Sequence, residues 1–270
     1  MLYLFFWLEA ALLTGALYLW VPSLHPAFIL PILVGGFLAF CILFVLYLVV
    51  TSLFFKKDPP ARPSRFASLT VRLALPWFSS FLGTRLRVVG KEKMPDTHAV
   101  YVCNHRSAFD PVFVMSAFPR RRTAFVSKLS VAKYPFIGPY MNKCGYVFID
   151  RDSPMQAMRA IHRAAKYVKE NKLNYGVFPE GTRSHDNTLL PFKSGAFVLA
   201  KKADVPIAVM TVEGSESAIS GLPWRLPRVK ITVAGTIPVE DVRTLSPDEL
   251  SDRARGMMEA VLKKDSAQKA

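Results

Sequence analysis

The hydrophobic pattern divides this chain into two parts with different periodicity. From Ala10 to Phe55 there is no charged side chain. Leu2–Val21 offers one apolar stretch, long enough as a helix rising about 1.5 Å per residue to cover a hydrocarbon layer of roughly 30 Å. Val21-Pro22-Ser23-Leu24-His25-Pro26 interrupts the run. Ala27–Phe55 then resumes it, with Pro31 and Gly35-Gly36 loosening its start. The pattern predicts two membrane helices joined by a short turn. A cleaved signal peptide is the competing reading, and it lacks both a basic leader and a short apolar core. A re-entrant hairpin that turns at mid-bilayer depth fits the same pattern.

Beyond Arg85 short apolar runs alternate with helical patterns. The strands predicted are Leu86–Val89, Ala99–Cys103, Thr123–Val126, Tyr146–Ile149, Tyr175–Phe178, Pro206–Val212 and Val229–Val233. Ser153-Pro154-Met155-Gln156 reads as a capping box that starts a helix running to about Asn171, and Ser246-Pro247-Asp248-Glu249 repeats the device near the C-terminus. Strand–helix alternation implies an α/β fold with a mixed, largely parallel central sheet flanked by helices, preceded by the N-terminal two-helix hairpin. The domains expected are a membrane hairpin over 1–55, a basic amphipathic linker over 56–84, and an α/β domain over 85–270. In the linker Phe66, Leu69, Leu73, Trp77 and Phe81 recur at helical spacing with Arg65 and Arg72 interleaved, and Pro76 should kink or end that helix. Such a stripe either lies in a membrane interface or packs into a core.

Charge sharpens the division. All 35 Lys and Arg residues and 19 of the 20 acids lie beyond residue 55, which leaves a net +16 on 56–270. Residues 56–133 alone carry fifteen basic and four acidic side chains. Basic residues directly after an apolar run place the remainder of the chain on the cytoplasmic side of a cell membrane, and attract anionic head groups at about 1 kcal/mol per residue. The three cysteines cannot form a disulfide framework. No zinc-finger, RNA-recognition or helix-turn-helix signature supports nucleic acid as a partner.

Candidate chemistry concentrates at strand exits. Asn104-His105-Arg106-Ser107-Ala108-Phe109-Asp110-Pro111 comes after a strand, with Asp110-Pro111 placed as the N-cap and first residue of a helix. Four intervening residues let Asp110 return to one imidazole nitrogen of His105, fix the tautomer and leave the other nitrogen as general base. The bland alternative is a structural cap beside a surface histidine. Phe178-Pro179-Glu180-Gly181-Thr182-Arg183-Ser184 leaves another strand and presents a guanidinium suited to bidentate phosphate capture. Its bland alternative is a tight turn with a Glu–Arg ion pair. Ile149-Asp150-Arg151 puts a further arginine past a strand. No His-centred metal-ligand spacing is present.

In that order, N-H-x4-D, Ile-Asp-Arg, F-P-E-G-T-R-S and V-P-I-A-V-M resemble the 1-acylglycerol-3-phosphate acyltransferase family over roughly Arg85 to Gly235. The resemblance implies a catalytic His105–Asp110 pair. It also implies acceptor-phosphate binding by Glu180, Gly181, Thr182, Arg183 and Ser184, with Arg151 and Lys128 in support. Val126-Ser127-Lys128-Leu129-Ser130 departs from the family's usual lysine-rich run, so Lys133 stands as a second candidate. The implied reaction carries a fatty acyl group from acyl-CoA or acyl-carrier protein to lysophosphatidic acid, with no cofactor and no metal, at a membrane. Rival readings are an acyltransferase of the same superfamily with another acceptor, and a non-enzymatic binder of acidic lipids.

The apolar run makes a direct prediction. The protein should stay in the membrane fraction through high-salt and alkaline carbonate washes; release of the intact chain by carbonate would contradict an inserted N-terminus.

Overall fold

A computed structural model describes residues 15–16, 20–21, 28–56, 58–81, 84–150, 153–184, 188–217 and 227–267. The chain forms two compact units, Met1–Lys56 and Lys57–Ala270. In the first, helix α1 (Ile29–Leu53, 25 residues) is apolar around its whole circumference. The hydroxyls of Thr51 and Ser52 bond back to carbonyls of Tyr47, Leu48 and Val49, so their polarity is satisfied inside the helix. Leu30–Leu53 is long and apolar enough to cross a membrane. Most of the other expected span, Leu2–Val21, and the turn Pro22–Pro26 lie outside the described residues, and a two-helix hairpin is not seen among those described.

The second unit opens with α2 (Arg65–Phe81), whose start is capped by the Ser64 hydroxyl accepting from the Ala67 N–H at 3.2 Å. The helix runs through Pro76 rather than ending there. Ala67 is buried, whereas Phe66, Leu69 and Leu73 are 56%, 44% and 63% exposed. Phe66, Leu69 and Leu73 of the apolar stripe therefore point outward, and Ala67 lies on the packed face.

The sheet has seven strands: β1 (Arg85–Val89), β2 (Val100–Cys103), β3 (Thr123–Lys128), β4 (Val147–Ile149), β5 (Asn174–Val177), β6 (Ile207–Glu213) and β7 (Arg228–Ile237). Their order is β1-β7-β6-β2-β5-β3-β4. Every neighbouring pair is parallel except β6–β7, so β7 and β1 run against the other five. Strands β2 and β5 are buried along their whole length, and β6 up to its last residue. Their mainly apolar composition is what a parallel strand covered on both faces requires, and the polar Asn174 at the start of β5 uses its side chain to accept from the Ala99 N–H and donate to Arg122 O. The helices that flank the sheet are α3 (Asp110–Ala117), α4 (Ile137–Lys143), α5 (Pro154–Asn171), α6 (Val198–Ala203), α7 (Val239–Thr244) and α8 (Pro247–Ala267).

The two predicted capping boxes differ in outcome. At α8, Ser246 N–H donates to Glu249 Oε2 at 2.7 Å and Glu249 N–H donates to Ser246 Oγ at 3.2 Å, a reciprocal pair. At α5, Ser153 holds the N-cap position without a side-chain cap bond.

Asn104 extends the β2–β6 ladder past its last paired residues, Cys103 and Met210. Its side-chain amide donates to Val212 O at 3.0 Å and accepts from Val212 N–H at 2.7 Å, both within buried surroundings. The side chain thus imitates a strand residue while the backbone is free to turn. Asn104→Ala would strand two buried backbone groups, and should lower unfolding free energy by about 3 kcal/mol in denaturant titration. A change under about 0.5 kcal/mol would show that water replaces the amide at no cost.

Candidate active site

Parallel pairing brings two strand exits together. Val102 of β2 lies opposite Val177 of β5, so the segments that leave their C-terminal ends, Asn104–Asp110 and Phe178–Ser184, emerge side by side. Open α/β sheets commonly place their ligands at this edge.

His105 Nδ1 lies 2.8 Å from Asp110 Oδ2. The same oxygen accepts the backbone N–H of Arg106 at 2.7 Å and of Ser107 at 2.8 Å. Asp110 is completely buried. It is the first residue of α3 rather than its cap, a place where the helix dipole favours a carboxylate. Two fixed amide donors hold this oxygen in place before the imidazole reaches it. The other ring nitrogen, Nε2, makes no hydrogen bond among the described residues. The His105 ring also stacks on Phe178, with centroids 4.2 Å apart and planes 20° from parallel.

The second exit grips the backbone of the first. Glu180 Oε1 accepts the His105 N–H at 2.8 Å, and Ser184 N–H donates to the His105 carbonyl, also at 2.8 Å. Glu180 Oε2 accepts the Leu190 N–H at 3.0 Å, and the Ser184 hydroxyl donates to Thr188 O at 2.8 Å. Burial raises the Glu180 carboxyl above its ordinary range; the two N–H donors pull the other way without cancelling it. Glu180 and Ser184, expected on the phosphate, thus spend their polar atoms joining loops.

Their neighbours face solvent. Gly181 takes a left-handed conformation (φ 68°), which closes the turn and leaves Thr182 and Arg183 exposed. Lys193 lies over that glycine, with Cδ, Cε and Nζ about 3.2–3.3 Å from where a Cβ would project. Its N–H donates to Pro179 O at 2.9 Å, which ties the lysine's segment to the same turn. Nothing in the spacing of Pro191-Phe192-Lys193-Ser194-Gly195 marked that lysine as part of the site. Lys128 ends β3, exposed, opposite Ile149 at the end of β4. Lys133 is exposed at the end of a short 3-10 turn over Leu129–Lys133. Arg151 lies outside the described residues.

Rival nucleophiles are scarce here. Cys103 sits two residues from His105, but burial pushes its thiol far above the ordinary range and the Asp110 carboxylate adds to the shift. Burial likewise pushes the Cys144 thiol up to about 12. Both stay protonated at neutral pH, the unreactive form of a cysteine. Among the described residues no group of three or more His, Cys, Asp or Glu side chains converges to hold a metal ion.

The family model described as Acyltransferase matches residues 85–213. A 1-acyl-sn-glycerol-3-phosphate acyltransferase of Saccharomyces cerevisiae is 32% identical over 172 residues, 63% of this chain and 54% of the relative. The alpha form from Bos taurus is 30% identical over 199 residues, 73% of this chain and 69% of the relative. The chain spans about half the length of the yeast relative and of one from Limnanthes douglasii. The crystal structure of the 1-acyl-sn-glycerophosphate (LPA) acyltransferase PlsC from Thermotoga maritima shares the fold, with a TM-score of 0.63 at 24% identity over 82% of this chain and 88% of that one. With both strand-exit segments inside the matched region, the chain belongs to the 1-acyl-sn-glycerol-3-phosphate acyltransferase family.

Proposed function

We propose that this protein transfers a fatty acyl group from acyl-CoA or acyl-carrier protein to the free hydroxyl of 1-acylglycerol 3-phosphate, giving phosphatidic acid. The observation that carries the reading is the His105–Asp110 contact: one imidazole nitrogen held by a buried, amide-anchored carboxylate and the other left free. Nε2 takes the proton of the acceptor hydroxyl as its oxygen attacks the thioester carbonyl. Asp110 stabilises the imidazolium without becoming protonated. The tetrahedral intermediate collapses, the carbon–sulfur bond breaks, and the imidazolium returns the proton to the departing thiolate. The products are an oxygen ester and a free thiol, and His105 is neutral again.

Arg183, Thr182, Lys193 and Lys128 form the acceptor-phosphate site, with Arg151 in support. Arg183 provides the planar fork that matches phosphate oxygens, and the lysines add point charge. The N-terminal hairpin and the outward stripe of α2, flanked by Arg65 and Arg72, keep the α/β domain at the cytoplasmic surface of a cell membrane. An amphiphilic acceptor and product then need not leave the bilayer. The donor's acyl chain requires an apolar path from the same surface.

The test combines substitution with an acceptor panel. His105→Ala should abolish turnover on lysophosphatidic acid, and Asp110→Asn should lower kcat by on the order of 10³–10⁴, the scale set by loss of the correct tautomer in a comparable triad. Arg183→Ala should raise the acceptor KM about tenfold or more while sparing the donor KM, and Arg183→Lys should rescue only part of it. Transfer to glycerol 3-phosphate or a neutral lysolipid in preference to lysophosphatidic acid would reassign the acceptor. Near-normal turnover by folded His105→Ala would remove the mechanism.

A further inference from the structure

The imidazole of His105 is not held by Asp110 alone. On its face lies Phe178, and 5.5 Å beyond the Phe178 centroid, 13° from parallel, lies the ring of Phe125. These three rings form a column that starts on β3, crosses β5 and ends on the loop leaving β2. Its geometry comes from strand register. Phe125 pairs across the ladder with Gly176, and Phe178 stands two residues further along, on the same side of β5. A Cβ on Gly176 would overlap the Phe125 ring. The glycine is what lets that ring lie flat over β5 and reach Phe178. Phe125 is fully buried, so the far end of the column is fixed by the core.

We infer that this column is a positioning device for the base, with Phe178 as its working member. It acts in two ways. A flat aromatic face against the imidazole limits rotation about the last side-chain torsion, which otherwise is broad, and so keeps Nδ1 on Asp110 and Nε2 aimed outward. The same face carries the negative lobe of a ring quadrupole, and it lies within cation–π range of the positive charge that the imidazole acquires on taking the acceptor's proton. The stack is therefore stronger in the charged state than in the neutral one, which is the condition for lowering a barrier rather than binding substrate. Phe178 carries no group that can exchange a proton, so its effect passes through His105. The inference rests on His105 acting as the base.

Phe178→Leu keeps apolar volume and removes the aromatic face. It should lower kcat about tenfold, with acceptor and donor KM within about twofold of the parent. Phe178→Tyr restores a ring and should recover most of that loss. Phe125→Leu, one ring removed from the base, should lower kcat less than Phe178→Leu and likewise spare both KM values. These variants are assayed as full-length protein in mixed micelles beside His105→Ala. An inactive His105→Ala with a fully active Phe178→Leu would overturn the column and leave the base intact. An active His105→Ala would overturn the underlying mechanism instead. If Phe178→Leu fails to fold, Phe178→Tyr and Phe125→Leu decide. A Tyr variant as impaired as a deletion of the face, or a Phe125→Leu effect carried in KM, contradicts the inference.

Discussion

The site depends on one residue's backbone being held from both directions. His105 donates its N–H to Glu180 and accepts the N–H of Ser184 at its carbonyl, while its ring is fixed by Asp110. Two loops that leave neighbouring strands are thereby joined through a single residue. A buried carboxylate such as Glu180 is costly to desolvate. Here two backbone donors offset part of that cost, and the raised carboxyl of Glu180 records what is left uncompensated. Burial of this kind is tolerated where geometry matters more than stability, because hydrogen bonds in low dielectric are stiff.

That arrangement divides the Glu180–Ser184 turn by exposure. Its two ends point inward and fasten the loops. Its middle, released by the left-handed Gly181, presents Thr182 and Arg183 to solvent beside Lys193. A phosphate site in water works by concentrating like charges whose mutual repulsion an anion relieves, and exposed charges of this sort are screened beyond a Debye length of about 8–10 Å. The wider excess of +16 on residues 56–270 supplies a longer-ranged attraction to anionic surfaces, strongest at low ionic strength. The proposed division puts precision in the buried half of the turn and capture of the acceptor's phosphate in the exposed half.

Much of this was legible in the sequence, for identifiable reasons. The central strands β2 and β6 show as mainly apolar runs because strands covered on both faces need them, and the partly exposed edge strand β1 shows as a shorter alternating pattern. The His105–Asp110 spacing predicts the contact between the two side chains because four residues are enough for the chain to turn back on itself. The Ser246–Glu249 box is local and forms as written, whereas Ser153 holds the N-cap position without a side-chain cap bond. The reversal of β7 and β1 was not legible, since direction depends on how the long segment after Gly214 returns to the sheet. Nor was the inward turn of Glu180, because composition gives a residue's chemistry and not its aim. The aromatic column depends on Phe125 meeting Gly176 across a ladder, a long-range register that no local pattern encodes.

The central claim is that His105 activates the acceptor and that the acyl group never rests on the protein. Intact-mass measurement after incubation with acyl donor alone addresses it most directly. The mass should stay that of the unmodified chain, with full acyl transfer beginning only when lysophosphatidic acid is added. A stoichiometric acyl adduct that forms without acceptor and chases into phosphatidic acid on its addition would contradict a general-base mechanism and place a covalent nucleophile in this site.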